Sequence, residues 1–145
     1  AGREEKLGVV CLQTHFPNEP VLLTLINKGY AEFAELLLNE RQTNELPPYV
    51  YHAMIRAEAV KPDEAMSFLS NLTNSLPANP SAMVLGPIPS LMEKRAGKFR
   101  AQLLLSSNER GSLHQLLTTC TAIITKSKTN QKVRWSIDVD PIDSN

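Results

Sequence analysis

Apolar and polar residues alternate with a period of two over three stretches of the chain. Tyr51, Ala53, Ile55 and Ala57 are interleaved with His52, Met54 and Arg56. Phe99, Ala101, Leu103 and Leu105 are interleaved with Lys98, Arg100 and Gln102, and Val133, Trp135, Ile137 and Val139 with Arg134, Ser136, Asp138 and Asp140. Such alternation predicts strands that bury one face, because successive side chains leave a strand on opposite sides. Ala82 to Gly86 predicts a further short, apolar strand. Two segments of helical spacing lie between these. Pro62-Asp63-Glu64 opens one that carries Ala65, Phe68, Leu69, Leu72 and Leu76 and stops before Pro77. Asn108 is placed to cap the other, whose stripe is Leu113, Leu116, Leu117, Cys120, Ile123 and Ile124.

The order strand-helix-strand, strand-helix-strand predicts an α+β domain of ferredoxin-like βαββαβ architecture. In it, two helices cover one face of a four-stranded antiparallel sheet. Upstream, Val9 to Thr14 predicts a short strand, Pro17 to Pro20 a turn and Val21 to Asn27 a helix. A second helix is predicted from Tyr30 to Asn44, with Phe33, Leu36 and Leu37 set apart from Glu32, Glu35, Glu40 and Arg41. Leu46-Pro47-Pro48 ends it, since proline lacks the amide hydrogen and restricts the residue before it. We place a domain boundary there, dividing residues 1–45 from residues 46–145. A lone strand and helix cannot offset their ordering entropy, so residues 1–28 are expected to belong to something larger.

The chain has 145 residues, is 42% hydrophobic and carries no formal net charge. No apolar run approaches the roughly 18 residues of a membrane span, and no charged-then-apolar leader opens the sequence. It starts without Met and reads as a piece excised from a longer protein. Cys11 and Cys120 stand far apart and neither belongs to a Cys-x-x-Cys pair, which speaks against zinc or a disulfide and for reduced thiols in the cytosol. The neutral total hides a division. Residues 1–93 hold six Lys/Arg against eleven Asp/Glu, whereas Lys94 to Arg134 hold nine Lys/Arg against Glu109 alone. Asp138, Asp140 and Asp143 follow, so the basic region is bounded on both sides by acid.

Four cations and an aromatic fall within Lys94-Arg95-Ala96-Gly97-Lys98-Phe99-Arg100. If Phe99, Ala101 and Leu103 face the core, Lys98, Arg100 and Gln102 face the open side of the sheet, joined there by Arg56 and Arg134. Lys94 and Arg95 are expected on the preceding loop, and Lys126, Lys128 and Lys132 on the loop before the last strand. Spaced cations on a flat polar surface suit an extended nucleic acid held by its phosphates; the plain alternative is a solvated or protein-covered sheet face. Phe99 and Trp135 fall on the core phase, which argues for packing rather than base stacking. His15, His52 and His114 have no second ligand nearby in sequence, and the terminal aspartates read as polar strand termination rather than a metal site. No Ser/His/Asp or Cys/His spacing suggests nucleophilic catalysis.

Six segments, in order, resemble the C-terminal end of the bacterial primosomal replication-restart helicase family (primosomal protein N′). They are Ala1-Gly2-Arg3, Val10 to His15, Lys28 to Glu35, Leu46 to Tyr49, the stretch from Gly86 to Arg100, and Val133 to Pro141. The resemblance spans essentially the whole chain. It implies a parent that is an ATP-dependent 3′-to-5′ DNA helicase of the cytoplasm, reloading replication at abandoned forks with other primosome proteins. ATP, Mg and zinc are implied for that parent and no cofactor for the present chain. Residues 1–45 then read as the end of the second helicase lobe with a linker helix, and residues 46–145 as a ferredoxin-like DNA- and partner-binding domain. Arg3 matches the arginine that reaches the γ-phosphate of ATP in such enzymes, a role that requires the rest of the ATP site. Arg110 matches a residue implicated in docking the acidic C-terminal tail of single-stranded-DNA-binding protein, with His114 beside it where a glutamine is expected. A surface ion pair with Glu109 or Asp138 is the alternative for Arg110. Ala101 also departs from the family, which carries an aromatic two residues after Phe99; this argues against a platform of two aromatics. The open readings for the basic face are therefore single-stranded or forked DNA, docking onto the helicase lobes without DNA, and RNA.

Overall fold

The computed structural model describes residues 8–78, 80–127 and 132–141. The chain divides into two compact units, residues 1–43 and 44–145. In the first, helix α1 (Pro20–Lys28) packs on helix α2 (Tyr30–Thr43), and neither buries a side chain fully. Pro20 sits at the first turn of α1, where its missing amide hydrogen costs nothing. The strand expected from Val9 to Thr14 does not form. A strand is completed only by hydrogen bonds to a neighbour, and the described residues offer these six no partner.

The second unit follows the order β1 (Tyr51–Ala59), α3 (Pro62–Ser75), β2 (Met83–Arg95), β3 (Lys98–Ser107), α4 (Arg110–Lys126) and β4 (Val133–Val139). The strands form one antiparallel sheet in the order β2-β3-β1-β4, so each split β-α-β half interleaves with the other as a ferredoxin-like fold requires. Both helices lie on one face of the sheet, where α3 and α4 also meet each other. Pro62 at the start of α3, followed by Asp63 and Glu64 in its first turn, suits the positive end of the helix dipole.

Ala53, Ile55, Ala57 and Ala59 of β1 point at the helices together with Ala101, Leu103 and Leu105 of β3 and Val133 of β4. They close on Phe68, Leu69 and Leu72 of α3 and on Leu113, Leu116, Cys120 and Ile124 of α4. Alanine at three of the four fully buried inward positions of β1 lets the helix layer approach the centre of the sheet closely. Trp135 packs against this core as its phase predicts, but Phe99 does not join it. Phe99 lies at the end of the sheet, half-buried, with the Lys94 ammonium 5.1 Å from its ring centroid.

Two other expectations are corrected. The short strand at Ala82 to Gly86 is the start of a thirteen-residue strand that takes in Lys94 and Arg95, so these residues are in β2 and not on a loop. Pairing with β3 shifts register between Leu85 and Ile88 and again between Pro89 and Lys94, which breaks the period-two signal. Gly86 makes the first irregularity possible. Its φ is +109°, and a Cβ there would sit 3.1 Å from the Ile88 nitrogen and 3.2 Å from the Gln102 oxygen. Nor does Asn108 cap α4: Glu109 holds that position without a side-chain cap bond. The Ser107 hydroxyl instead accepts the Glu109 amide hydrogen at 3.1 Å and donates to the Ser81 carbonyl at 2.7 Å, tying the helix start to the segment before β2.

Leu103 is fully buried at the centre of this packing. Leu103→Ala is expected to destabilise the second unit by about 2–5 kcal/mol, read as a lower urea midpoint with unchanged slope.

Candidate nucleic-acid interface

The pleat that buries Ile55 and Leu103 sends every second residue of the sheet to the face without helices. Register then sets the rows across it. Leu85, Leu104, Met54 and Asp138 form one row; Ile88, Gln102, Arg56 and Ser136 form the next; Arg100, Glu58 and Arg134 form a third. The face is therefore graded. Its β2 side is apolar, with Met83, Leu85 and Ile88 at 55%, 46% and 53% exposed. Met54 and Gln102 are buried in the middle even though they lie on the open side. Cations gather at the other end.

Arg56, Arg100 and Arg134 line one cleft of about 240 Å³ with Glu58, Trp135 and Ser136. Glu58 sits between them: its Oε1 accepts from Lys98 Nζ at 3.1 Å and lies 3.7 Å from Arg134 Nε. Arg56 Nη1 donates to Asp138 Oδ2 at 2.6 Å. Sequence periodicity thus located Arg56, Lys98, Arg100 and Arg134 on one face, and the fold brings them together. It missed Glu58, which continues the same period-two phase two residues beyond Arg56 and could have been found that way.

The remaining candidates fall elsewhere. Lys94 is in register with Phe99 and so belongs to the helix-bearing side of the sheet, whereas Arg95 is in register with Lys98. Lys126, expected on the loop before the last strand, instead ends α4 on the helix layer, alongside His114 and Thr118 in a shallow groove. Lys132 is exposed just before β4. Arg3 and Lys128 lie outside the described residues. Arg110 is the exposed first residue of α4, and His114 follows one turn later on the same side of the helix. The first i-to-i−4 bond of α4 runs from the Leu113 amide to the Glu109 carbonyl at 3.1 Å, leaving the preceding first-turn amides at the helix start. Among the described residues Arg110 makes no ion pair; Asp138 is held by Arg56, and Glu109 Oε2 accepts from the Ser112 hydroxyl at 3.0 Å.

Burial shifts two titratable groups among the described residues. Burial lowers the pKa of His52, with the Asp140 carboxylate acting in the opposite direction. Burial pushes the Cys120 thiol up to about 11. Among the described residues, no group of three or more His, Cys, Asp or Glu is placed to hold a metal, and no helix is long and apolar enough to cross a membrane.

Residues 42–142 match the family described as the primosomal protein N C-terminal domain. This chain belongs to that family. It is 38% identical over 145 residues to the replication restart protein PriA of Haemophilus influenzae, covering 99% of this chain and 20% of the relative. Proteins of the same name from Buchnera aphidicola (subspecies Acyrthosiphon pisum) and Bacillus subtilis are each 26% identical, over 137 and 143 residues. These alignments cover 91% and 97% of the chain and 19% and 18% of the two relatives. The chain thus spans about a fifth of the length of the relatives it matches. A de novo designed protein, Foldit4, is similar at 11% identity and a TM-score of 0.47 over 63% of this chain and 97% of its own, too loose a likeness to bear weight.

The two thiols should separate by reactivity. Cys11 is exposed and Cys120 is fully buried with its raised pKa. A chromogenic disulfide reagent is expected to titrate one thiol in the native protein and two in denaturant.

Proposed function

We propose that this chain is the DNA-binding and partner-docking C-terminal domain of an ATP-dependent 3′-to-5′ DNA helicase that restarts stalled replication forks in the cytoplasm. The observation that carries the reading is the convergence of Arg56, Lys98, Arg100 and Arg134 on the helix-free sheet face. The names of the relatives supply the setting of replication restart. Phosphate contacts suit this surface better than base readout, because Trp135 packs against the core and Phe99 lies under Lys94. ATP, Mg and zinc belong to the remainder of the parent in this reading, and the present chain turns over no nucleotide by itself. Residues 1–45 are the end of its second helicase lobe. The exposure of Val9, Val10, Phe16, Ile26 and Tyr30 supports a larger apolar neighbour for them.

One observation favours a second reading, in which the sheet docks on the helicase core as a scaffold. The apolar edge formed by Met83, Leu85 and Ile88 adjoins the cationic cleft and resembles a protein contact more than a phosphate track. Charge reversal at Arg100 and Arg134 decides between them. Binding of single-stranded and forked DNA should weaken about equally for all sequences, and the slope of log affinity against log salt, near −3 for the parent if about four phosphates are met, should become shallower. Undiminished binding by a folded double variant at low salt would assign the face to the scaffold. Tighter binding of a matched RNA would instead mark an RNA-binding module.

Arg110 and His114 are proposed to receive the acidic tail of single-stranded-DNA-binding protein at the start of α4. There the guanidinium offers a planar pair of donors beside the first-turn amides. In the full-length protein, Arg110→Ala should weaken a tail peptide by about ten- to a hundredfold, with Arg110→Lys recovering part of it. Unchanged affinity would reduce Arg110 to a surface charge.

A further inference from the structure

The cationic cleft contains its own anion. Glu58 lies on the central strand β1, in register with Arg100 on one side and Arg134 on the other, and its Oε1 is shared by Lys98 and Arg134. Two cations thus meet at one acceptor oxygen, as they would at a non-bridging phosphate oxygen. The Glu58 side chain is 28% exposed, whereas those of Lys98 and Arg134 are 42% and 80% exposed. The acceptor is thus seated in the cleft while the donors reach it from solvent. Neither helix of the second unit covers this side of the sheet, so a strand approaching that unit would meet the donors first.

We propose that Glu58 is a resident counter-anion of the nucleic-acid site, which a phosphate group must displace to engage Lys98 and Arg134. This rests on the reading of the open face given above. Two consequences follow from electrostatics. With Glu58 in place, Lys98 and Arg134 are already partly neutralised, and each contributes less to counterion release than it would with the carboxylate removed. A phosphate that does enter meets a carboxylate of like charge, so the cleft holds a polyanion weakly and releases it readily. Arg100 faces the same carboxylate without a short ion pair of its own among the described residues, so it is the cation of this row that Glu58 engages least.

The test measures binding of a labelled oligo-dT by fluorescence anisotropy over a salt series, using the 145-residue chain. Glu58→Gln keeps the shape and removes the charge. It is expected to tighten binding about two- to tenfold and to steepen the salt slope by about 0.7 for each additional phosphate engaged. Asp63→Asn on α3, exposed on the opposite face, changes net charge equally and is expected to leave affinity within the error of the assay. Glu58→Thr removes the same charge with a good strand former and replaces Glu58→Gln if that variant fails to fold. If Glu58→Gln binds no tighter than the parent while reversal at Arg100 and Arg134 still weakens binding, the counter-anion is refuted and the DNA-binding face stands. Equal tightening by Asp63→Asn would also overturn it, by making the effect one of net charge. If reversal at Arg100 and Arg134 changes nothing, the DNA-binding reading fails and takes this inference with it.

Discussion

The phase of strand β1 is the constraint on which the rest of the second unit depends. Ala53, Ile55, Ala57 and Ala59 must face the helices, because Leu69, Cys120 and Ile124 have nowhere else to bury their surface. A slip of one residue would place Arg56 and Glu58 in that interior and expose Ile55 to water. The cost of an unpaired buried charge makes such a slip untenable. Once β1 is set, pairing with β3 and β4 leaves Arg100 and Arg134 no choice but to flank Glu58. Core packing and the chemistry of the open face are thus two consequences of one alternation.

The open face is less cationic than its arginines and lysines suggest. Asp138 holds Arg56, and Glu58 holds Lys98 and approaches Arg134. These pairs are part-buried but still reached by solvent, and side-chain ordering and screening offset much of the attraction. Their larger effect falls on the field of the face, because each paired cation presents less net charge to solvent. The apolar rows nearer β2 complete a surface that is mixed in character, with Met54 and Gln102 closely packed at its centre.

The two units differ in what holds them together. The second has a continuous core between sheet and helices, whereas α1 and α2 bury no side chain fully and leave Phe16, Ile26 and Tyr30 exposed. Burial of apolar area is the main favourable term in folding. A helix pair with so little of it draws its order from elsewhere in a longer protein or remains marginal.

Much of the ferredoxin-like domain was determined by the sequence alone. Period-two alternation located β1, β3 and β4, helical stripes located α3 and α4, and the order of these elements pointed to the sheet topology. The pleat also placed Arg56, Lys98, Arg100 and Arg134 on one side, since alternation is a local property of each strand. What a strand pairs with is not local. Strand β2 was only partly legible because Gly86, Pro87 and Pro89 interrupt its pattern, and its full length is set by hydrogen bonds to β3 across two register shifts. The stretch from Val9 to Thr14 has a strand's composition but no neighbour to complete it among the described residues. Phe99 has a core residue's phase, yet it stands at the end of the sheet, where Lys94 covers it. Glu58 is forty residues from Lys98 and still further from Arg134 in sequence, and only the alignment of three strands brings these charges within 4 Å. Tertiary structure decided those contacts because cross-strand register, unlike pleat, depends on residues that sequence keeps far apart.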